Sequence, residues 1–107
     1  MSLKTKLMNY DLADGDVETE GIQMDGQNAV AELVLENLTG GMDAKLQQSI
    51  DGEHWSDIED SELTIAEGDT TATWDICLIP RGTLVRASVT TDGNTGTIVK
   101  YQMLSND

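Results

Sequence analysis

Apolar and polar residues alternate along most of residues 70–79 of this chain. Ala72, Trp74, Ile76 and Leu78 occupy every second position, and polar residues fill most of the positions between them. A period of two is typical of a β-strand with one buried and one solvated face. The pattern therefore predicts a strand whose tryptophan-bearing face packs in the core.

Three further runs have the same period and also predict strands. Their expected buried faces are Ala31, Leu33 and Leu35 in residues 29–38, Val85, Ala87 and Val89 in residues 83–91, and Val99, Tyr101 and Met103 in residues 97–104. Residues 22–24 and 62–65 are shorter candidates. The run 29–38 also suits a short helix, because Ala, Glu and Leu are good helix formers. We favour a strand, since Thr39-Gly40-Gly41 follows at once.

The strongest local signal is a β-hairpin over residues 43–58. Ala44, Leu46, Gln48 and Ile50 share one face of its first strand, and Asp51-Gly52 suits a tight turn before Trp55. Residues 49–55 also resemble the Asp-box of sialidase-type propellers, Ser-x-Asp-x-Gly-x-x-Trp, without the residue between Asp and Gly. The chain is too short for a propeller. The likeness predicts that Asp51 caps the turn while Trp55 packs beneath it.

Short strands separated by Gly, Asp and Asn turns predict an all-β fold. We expect an antiparallel β-sandwich, jelly-roll or immunoglobulin-like, over residues 22–107. Residues 1–21 differ, because an acidic run without a period follows a short basic start. We assign them to an N-terminal arm that orders on a partner. The alternative, a first strand around residues 7–12, is left open by the same composition.

The charge balance narrows the choice of partners. Lys and Arg number 6 against 20 Asp and Glu, a formal net charge of -14. Such a surface repels phosphate, so we expect neither nucleic acid nor an anionic membrane as a partner. No stretch suits a signal peptide or a membrane span, so we expect the protein to be made or assembled in the cytoplasm.

No pattern in the sequence predicts a catalytic, cofactor or metal site. Cys77, the single cysteine, lies in an apolar run and is expected to be buried and inert, and His54 lies in an acidic turn. The carboxylates of residues 11–20 do not have EF-hand spacing. Those of residues 57–62 offer no desolvated general acid. We therefore expect a protein that is not an enzyme.

The turns and strands together resemble small β-sandwich structural proteins of tailed bacteriophages. The resemblance covers roughly residues 29–104 by the order of turns and strands. It is carried by Gln48-Ser49-x-Asp51-Gly52-x-x-Trp55-x-Asp57, then Leu84-Val85-Arg86-Ala87, then Gly93-Asn94-Thr95-Gly96-Thr97. It implies a role in the virion, as a capsid decoration (cement) protein on the virion surface or as a small head or tail component. Such a protein would bind the major capsid protein, stabilise the head and form a homo-oligomer such as a trimer.

The residues expected to contact a partner are the apolar ones of the N-terminal segment. They are Leu3, Leu7, Met8 and Tyr10. The competing hypothesis is a carbohydrate- or ligand-binding β-sandwich module of a fibre or secreted enzyme, in which Trp55 and Trp74 would line a sugar platform. That hypothesis requires exposed indole rings.

Overall fold

The computed structural model describes residues 2–106, which fold into ten β-strands and one 3₁₀ helix. The strands are β1 (Ser2–Asp11), β2 (Val17–Glu18), β3 (Ile22–Gln23), β4 (Asn28–Glu36), β5 (Met42–Ser49), β6 (Ser56–Asp57), β7 (Leu63–Ile65), β8 (Thr71–Ile76), β9 (Leu84–Thr90) and β10 (Thr97–Asn106). The 3₁₀ helix is Leu12–Asp14, and the carboxylate of Asp11 caps it by accepting from the N–H of Ala13.

The strands form two antiparallel sheets, which confirms the predicted all-β sandwich. One sheet has the order β1-β10-β4-β8, and the other has β2-β9-β5-β6, with β3 also on β9 and β7 also on β5. The chain changes sheet between β1 and β2, β3 and β4, β4 and β5, β7 and β8, β8 and β9, and β9 and β10. Such frequent crossing between sheets is more typical of a jelly roll than of an immunoglobulin domain.

The core lies between the sheets and is built from the alternating faces that the sequence predicts. Leu33 of β4, Trp74 of β8 and Val85 of β9 are all buried. Burying each aliphatic side chain of this kind contributes about 1.5–3 kcal/mol. Polar atoms in the core are satisfied: the indole Nε1 of Trp74 donates to the carbonyl of Ser61 at 2.6 Å.

Residues 2–11 form an edge strand of the sandwich, so of the two alternatives left open for the N-terminal segment the structure has a first strand. β1 pairs with β10 from Ser2↔Ser105 to Asp11↔Thr97 as an edge strand of the sandwich. The sequence hides the alternation of β1, because Lys4 and Lys6 occupy half-buried positions where apolar residues would be expected. Lys4 forms an ion pair with Asp25 there, and Lys6 forms one with Glu20. Met1 and Asp107, included in the predicted ranges, lie outside the described residues.

At two irregular positions of the backbone, the buried residues differ from those that the alternation predicts. In β10 a register shift lies between Ile98 and Lys100, so Ile98 is buried together with Tyr101. After β8, Leu78 adopts a left-handed φ of 59° and turns outward, and Ile79 is buried in its place. Cys77 is exposed, which corrects the expectation of a buried thiol.

The predicted hairpin is confirmed, but its turn is longer than two residues. β5 pairs with β6 at Gln47↔Asp57 and Gln48↔Ser56, leaving residues 50–55 as the loop. Ser49 is buried and Ile50 is exposed, the reverse of the expected alternation. The reason is that the Ser49 hydroxyl accepts from the N–H groups of Asp51 and Gly52, which requires it to point into the turn.

Candidate interaction surfaces

The strand structure of β1 divides the predicted partner-contact residues into two pairs. Leu3 and Leu7 point to solvent with 61% and 78% of their surfaces exposed. Met8 and Tyr10 are half-buried and pack against the core instead. The hydroxyl of Tyr10 donates to the carbonyl of Gly15 at 2.8 Å, and burial raises its pKa. Leu3 and Leu7 are therefore more accessible from outside the fold than Met8 and Tyr10.

Leu3 and Leu7 belong to a larger surface, the outer face of the four-stranded sheet. Two rows cross this face: Leu3, Leu104, Val30 and Asp75 at one level, and Leu7, Lys100, Val34 and Thr71 at the other. A polar row lies between them, where Gln102 Nε2 donates to Glu32 Oε1 at 2.8 Å. Leu3, Val30 and Leu104 line a shallow hollow of about 260 Å³ together with Glu32 and Gln102.

Lys100 differs from the paired basic side chains of the chain. Ion pairs join Lys4 to Asp25, Lys6 to Glu20, Lys45 to Asp57 and Arg86 to Glu18. Lys100 is half-buried on the outer face, and among residues 2–106 no carboxylate oxygen lies within 4.0 Å of its Nζ. A basic side chain left unpaired in so acidic a chain is available to a carboxylate of another molecule.

A second apolar surface lies at one end of the sandwich, which we call the loop end (residues 24–27, 50–55 and 77–83). Its loops are joined by hydrogen bonds from the N–H of Gly82 to the carbonyl of Met24 and from the N–H of Ile79 to that of Gln27. Ile50 is 91% exposed and Leu78 is 82% exposed. Ile50 and the exposed Pro80 border a hollow of about 320 Å³.

The loop that carries Ile50 is fixed by the side chain of Asp51, as the Asp-box likeness predicts. Its Oδ1 accepts from the N–H groups of Glu53 at 2.8 Å and His54 at 2.9 Å, and from the Ser49 hydroxyl at 2.9 Å. These hydrogen bonds, that of the His54 N–H first, hold the pKa of Asp51 well below its usual range. Trp55 Nε1 donates to the carbonyl of Gly52 at 3.2 Å and closes the turn.

The same loop brings together three side chains of metal-ligating type. Ligand atoms of Asp51, Glu53 and His54 lie within 4.8 Å of one another, and all three residues are exposed. Both Asp51 oxygens already accept or face hydrogen-bond donors of the loop, including His54 Nδ1 at 2.7 Å. The cluster is therefore explained by the turn itself.

The two tryptophans do not form a shared platform. Trp74 is buried, and one face of Trp55 is covered by the guanidinium of Arg86, 4.1 Å from the ring centroid. Arg86 is fixed there by a hydrogen bond from its Nε to Gln47 at 2.9 Å. A Cβ on Gly21 would lie 2.8 Å from the Trp55 ring, so a glycine is needed for the indole to sit this close to the chain.

Opposite the loop end lies what we call the acidic end (residues 11–16, 36–43, 66–70 and 91–96). Hydrogen bonds hold these segments together. The N–H of Leu12 donates to the carbonyl of Gly96, and the N–H of Thr91 donates to the carboxylate of Asp16. The N–H of Leu35, just before residue 36, donates to the carbonyl of Thr70. The exposed carboxylates here are those of Asp11, Asp14, Asp16, Glu36, Asp43, Glu67, Asp69 and Asp92. No Lys or Arg occurs in these segments, so the negative charge is concentrated at this end.

The titratable groups do not have the environment that acid–base catalysis uses. In the part of the chain that the structure describes, the buried polar side chains are those of Ser, Thr, Trp and Tyr, and no carboxylate is buried. Hydrogen bonds from Gln47 and Lys45 lower the pKa of Asp57, whereas a general acid needs a raised pKa.

Sequence reasoning misses several residues of these surfaces. Val30, Val34, Leu104 and Lys100 lie on strand faces that the alternation assigns to solvent, and only the β-sheet register brings them together with Leu3 and Leu7. The alternation assigns Ile50 and Leu78 to buried faces. A signal exists for Leu78, since Pro80-Arg81-Gly82 shortly after it indicates that the strand is ending.

Comparison with known proteins adds no family assignment. No protein-family model matches the chain, and no curated protein matches its sequence. Among the described residues, no helix is long and apolar enough to cross a membrane.

Proposed function

We propose that this chain is a non-enzymatic structural protein of a tailed-bacteriophage virion. In this role it is a capsid decoration (cement) protein that is assembled in the host cytoplasm, binds the major capsid protein at the capsid surface and stabilises the head. The observation that carries the proposal is the difference between the two ends of the sandwich. Exposed Ile50 and Leu78 lie at the loop end, and eight exposed carboxylates with no Lys or Arg among them lie at the acidic end.

The loop end has the properties of a preformed contact surface. Ile50 projects from a loop whose N–H groups are fixed by Asp51 and Ser49, so little conformational entropy is lost when a partner covers it. Leu78 is exposed by a left-handed backbone that is uncommon for a residue with a side chain. A strained backbone such as that of Leu78 is typical of functional sites, and a partner that covers the apolar side chain recovers the energy of its burial.

The acidic end favours one orientation on a capsid. Packaged DNA repels carboxylates, so a protein with this charge distribution is more stable on the outside of the shell. With the loop end on the major capsid protein, the acidic end points away from the shell and into solvent.

Co-sedimentation with capsid shells tests this proposal. The shells are assembled from the major capsid protein encoded in the same genome, and the test variant is Ile50→Asp/Leu78→Asp. The control, Ala13→Asp/Ala66→Asp, places the same two charges at exposed alanines of the acidic end. We expect the wild type and the control to pellet with the shells and the test variant to bind at least about tenfold more weakly, because a buried unpaired charge is costly. A wild type that stays in the supernatant, or a test variant that binds as the wild type does, would refute the proposal.

The alternative of a carbohydrate-binding module is less well supported by the geometry. It requires an exposed aromatic platform, whereas Trp74 is buried and Arg86 covers Trp55. Titration with glycans while tryptophan fluorescence is recorded distinguishes the two functions. Saturable quenching would favour the sugar-binding module.

A further inference from the structure

We infer that a second copy of this chain packs on the outer face of the four-stranded sheet, with Lys100 of each copy against Glu32 of the other. This self-association uses a different surface from the loop end and does not depend on the proposed capsid role. It is supported by the apolarity, charge and self-complementarity of the face.

The outer face carries apolar side chains that the rest of the fold leaves uncovered. Leu7 projects from the edge strand β1, and the hollow lined by Leu3, Val30 and Leu104 lies at the other row of the same face. In a two-fold arrangement the same patch is used on both copies, so Leu7 of each molecule can enter the hollow of the other. A sheet with uncovered apolar side chains on its outer face is expected to pack against another sheet.

Electrostatic repulsion restricts where two copies of so acidic a chain can meet. Within and between its two apolar rows the outer face carries the charged residues Lys100, Glu32 and Asp75, so it is close to neutral. Contact at the acidic end would instead bring two clusters of carboxylates together. Because like charges in contact cost several kcal/mol in the absence of compensation, the outer face is the favoured site of association.

Lys100 and Glu32 provide complementary charges on this one face. They lie on the neighbouring strands β10 and β4, two residues apart in register, since Glu32 pairs with Gln102 and Val34 with Lys100. Lys100 has no carboxylate partner among the described residues of its own chain, and Glu32 Oε1 receives its hydrogen bond from Gln102. A two-fold axis converts this single pair of residues into two intermolecular ion pairs.

The size of the face predicts a weak dimer. The face is four strands wide, with a spacing of about 4.8 Å, and about eight residues long, with a rise of about 3.3 Å per residue. Its area is therefore roughly 500 Å² per copy. Burying roughly 1,000 Å² in total lies at the low end of specific interfaces, so we expect a dissociation constant of tens to hundreds of micromolar.

Sedimentation velocity across about 10 µM to 1 mM protein, the range set by this interface size, tests the inference. As the protein concentration rises through this range, the sedimentation coefficient of the wild type should change from that of a monomer to that of a dimer. Lys100→Glu and Glu32→Lys should each weaken association at least about tenfold, because each brings like charges together. The dissociation constant of the double variant Glu32→Lys/Lys100→Glu should return to within about threefold of the wild-type value. In this variant the two charges have exchanged places, so the intermolecular ion pairs can still form.

Lys45→Glu is the matched control for the change of net charge, because Lys45 lies on the other sheet. It should associate as the wild type does. Circular dichroism and urea unfolding establish that each variant is folded. The inference is overturned if the wild type remains monomeric over the whole range, if Lys100→Glu associates unchanged, or if the double variant is as weak as the single ones.

Discussion

The hydroxyl of Tyr101 donates a hydrogen bond of 3.0 Å to the backbone carbonyl of Val85. Tyr101 belongs to β10 and Val85 to β9, so this contact joins the two sheets at the centre of the sandwich. Both residues are fully buried, and burial raises the pKa of the Tyr101 hydroxyl.

Replacing Tyr101 by Phe should lower the free energy of unfolding by about 0.5–1.5 kcal/mol, because a buried hydrogen bond is removed at nearly constant volume. Urea unfolding followed by far-ultraviolet circular dichroism measures this change. Tyr10→Phe is the control, since it removes a comparable hydrogen bond from a half-buried side chain. A smaller loss for Tyr101→Phe than for the control would contradict the assignment of Tyr101 as an inter-sheet contact.

Replacing Trp74 by Phe should cost more, about 2–4 kcal/mol, because it leaves a cavity and deprives the Ser61 carbonyl of its indole donor. Ser61 is buried, and its hydroxyl also bonds to the backbone of Leu46 and Ile58. The same urea titration measures the effect. Trp55→Phe, at a half-buried position covered by Arg86, should cost distinctly less. Equal losses for the two variants would show that the two indoles are similarly buried.

The Asp51 loop should lose its order at low pH. Because the pKa of Asp51 is lowered in the fold from its ordinary 3.8, its ionised form contributes stability above that value. This contribution is lost as the pH falls through the folded-state pKa. Hydrogen exchange should therefore show the N–H groups of Glu53 and His54, which donate to Asp51, protected at about pH 5 and less protected in strong acid.

The variant Asp51→Ala should accelerate exchange at those two N–H groups by about tenfold or more already at about pH 5, because their acceptor is gone. Glu53→Gln, in the same turn and without a hydrogen bond from its side chain among the described contacts, is the matched control. Unchanged exchange in Asp51→Ala would mean that the carboxylate does not order the loop.

The Cys77 thiol should react in the folded protein. It is exposed, and the backbone turns outward at the adjacent Leu78. Its rate with a disulfide reagent such as DTNB should be within about tenfold of the rate in guanidinium chloride, since access does not require unfolding. A thiol that reacts only after denaturation would instead indicate a buried cysteine.

The sequence is sufficient to predict strands that keep one period from end to end. β4, β8 and β9 have the predicted buried faces, because each strand alternates between buried and solvent-facing positions without interruption. In β9, for example, Val85, Ala87 and Val89 are buried and the residues between them are not. The register of paired strands, and so the composition of the outer face, is a long-range property that alternation does not contain.

The failures of prediction lie where a local backbone feature shifts the alternation or hides it. The register shift between Ile98 and Lys100 interrupts the alternation of buried and solvent-facing residues in β10. The left-handed φ of Leu78 reverses this alternation after β8. Lys4 and Lys6 are placed at half-buried positions of an edge strand, where their long side chains reach carboxylates at the flank. Patterns of apolar residues do not identify such a strand.

Quantitative mass spectrometry of purified virions is the most direct test of the proposed function. In the proposed role, the chain is present in intact virions in a constant ratio to the major capsid protein. We also expect removal of the loop-end contact by Ile50→Asp/Leu78→Asp to deplete it from particles that still contain their DNA. Its absence from wild-type virions would contradict a structural role on the capsid.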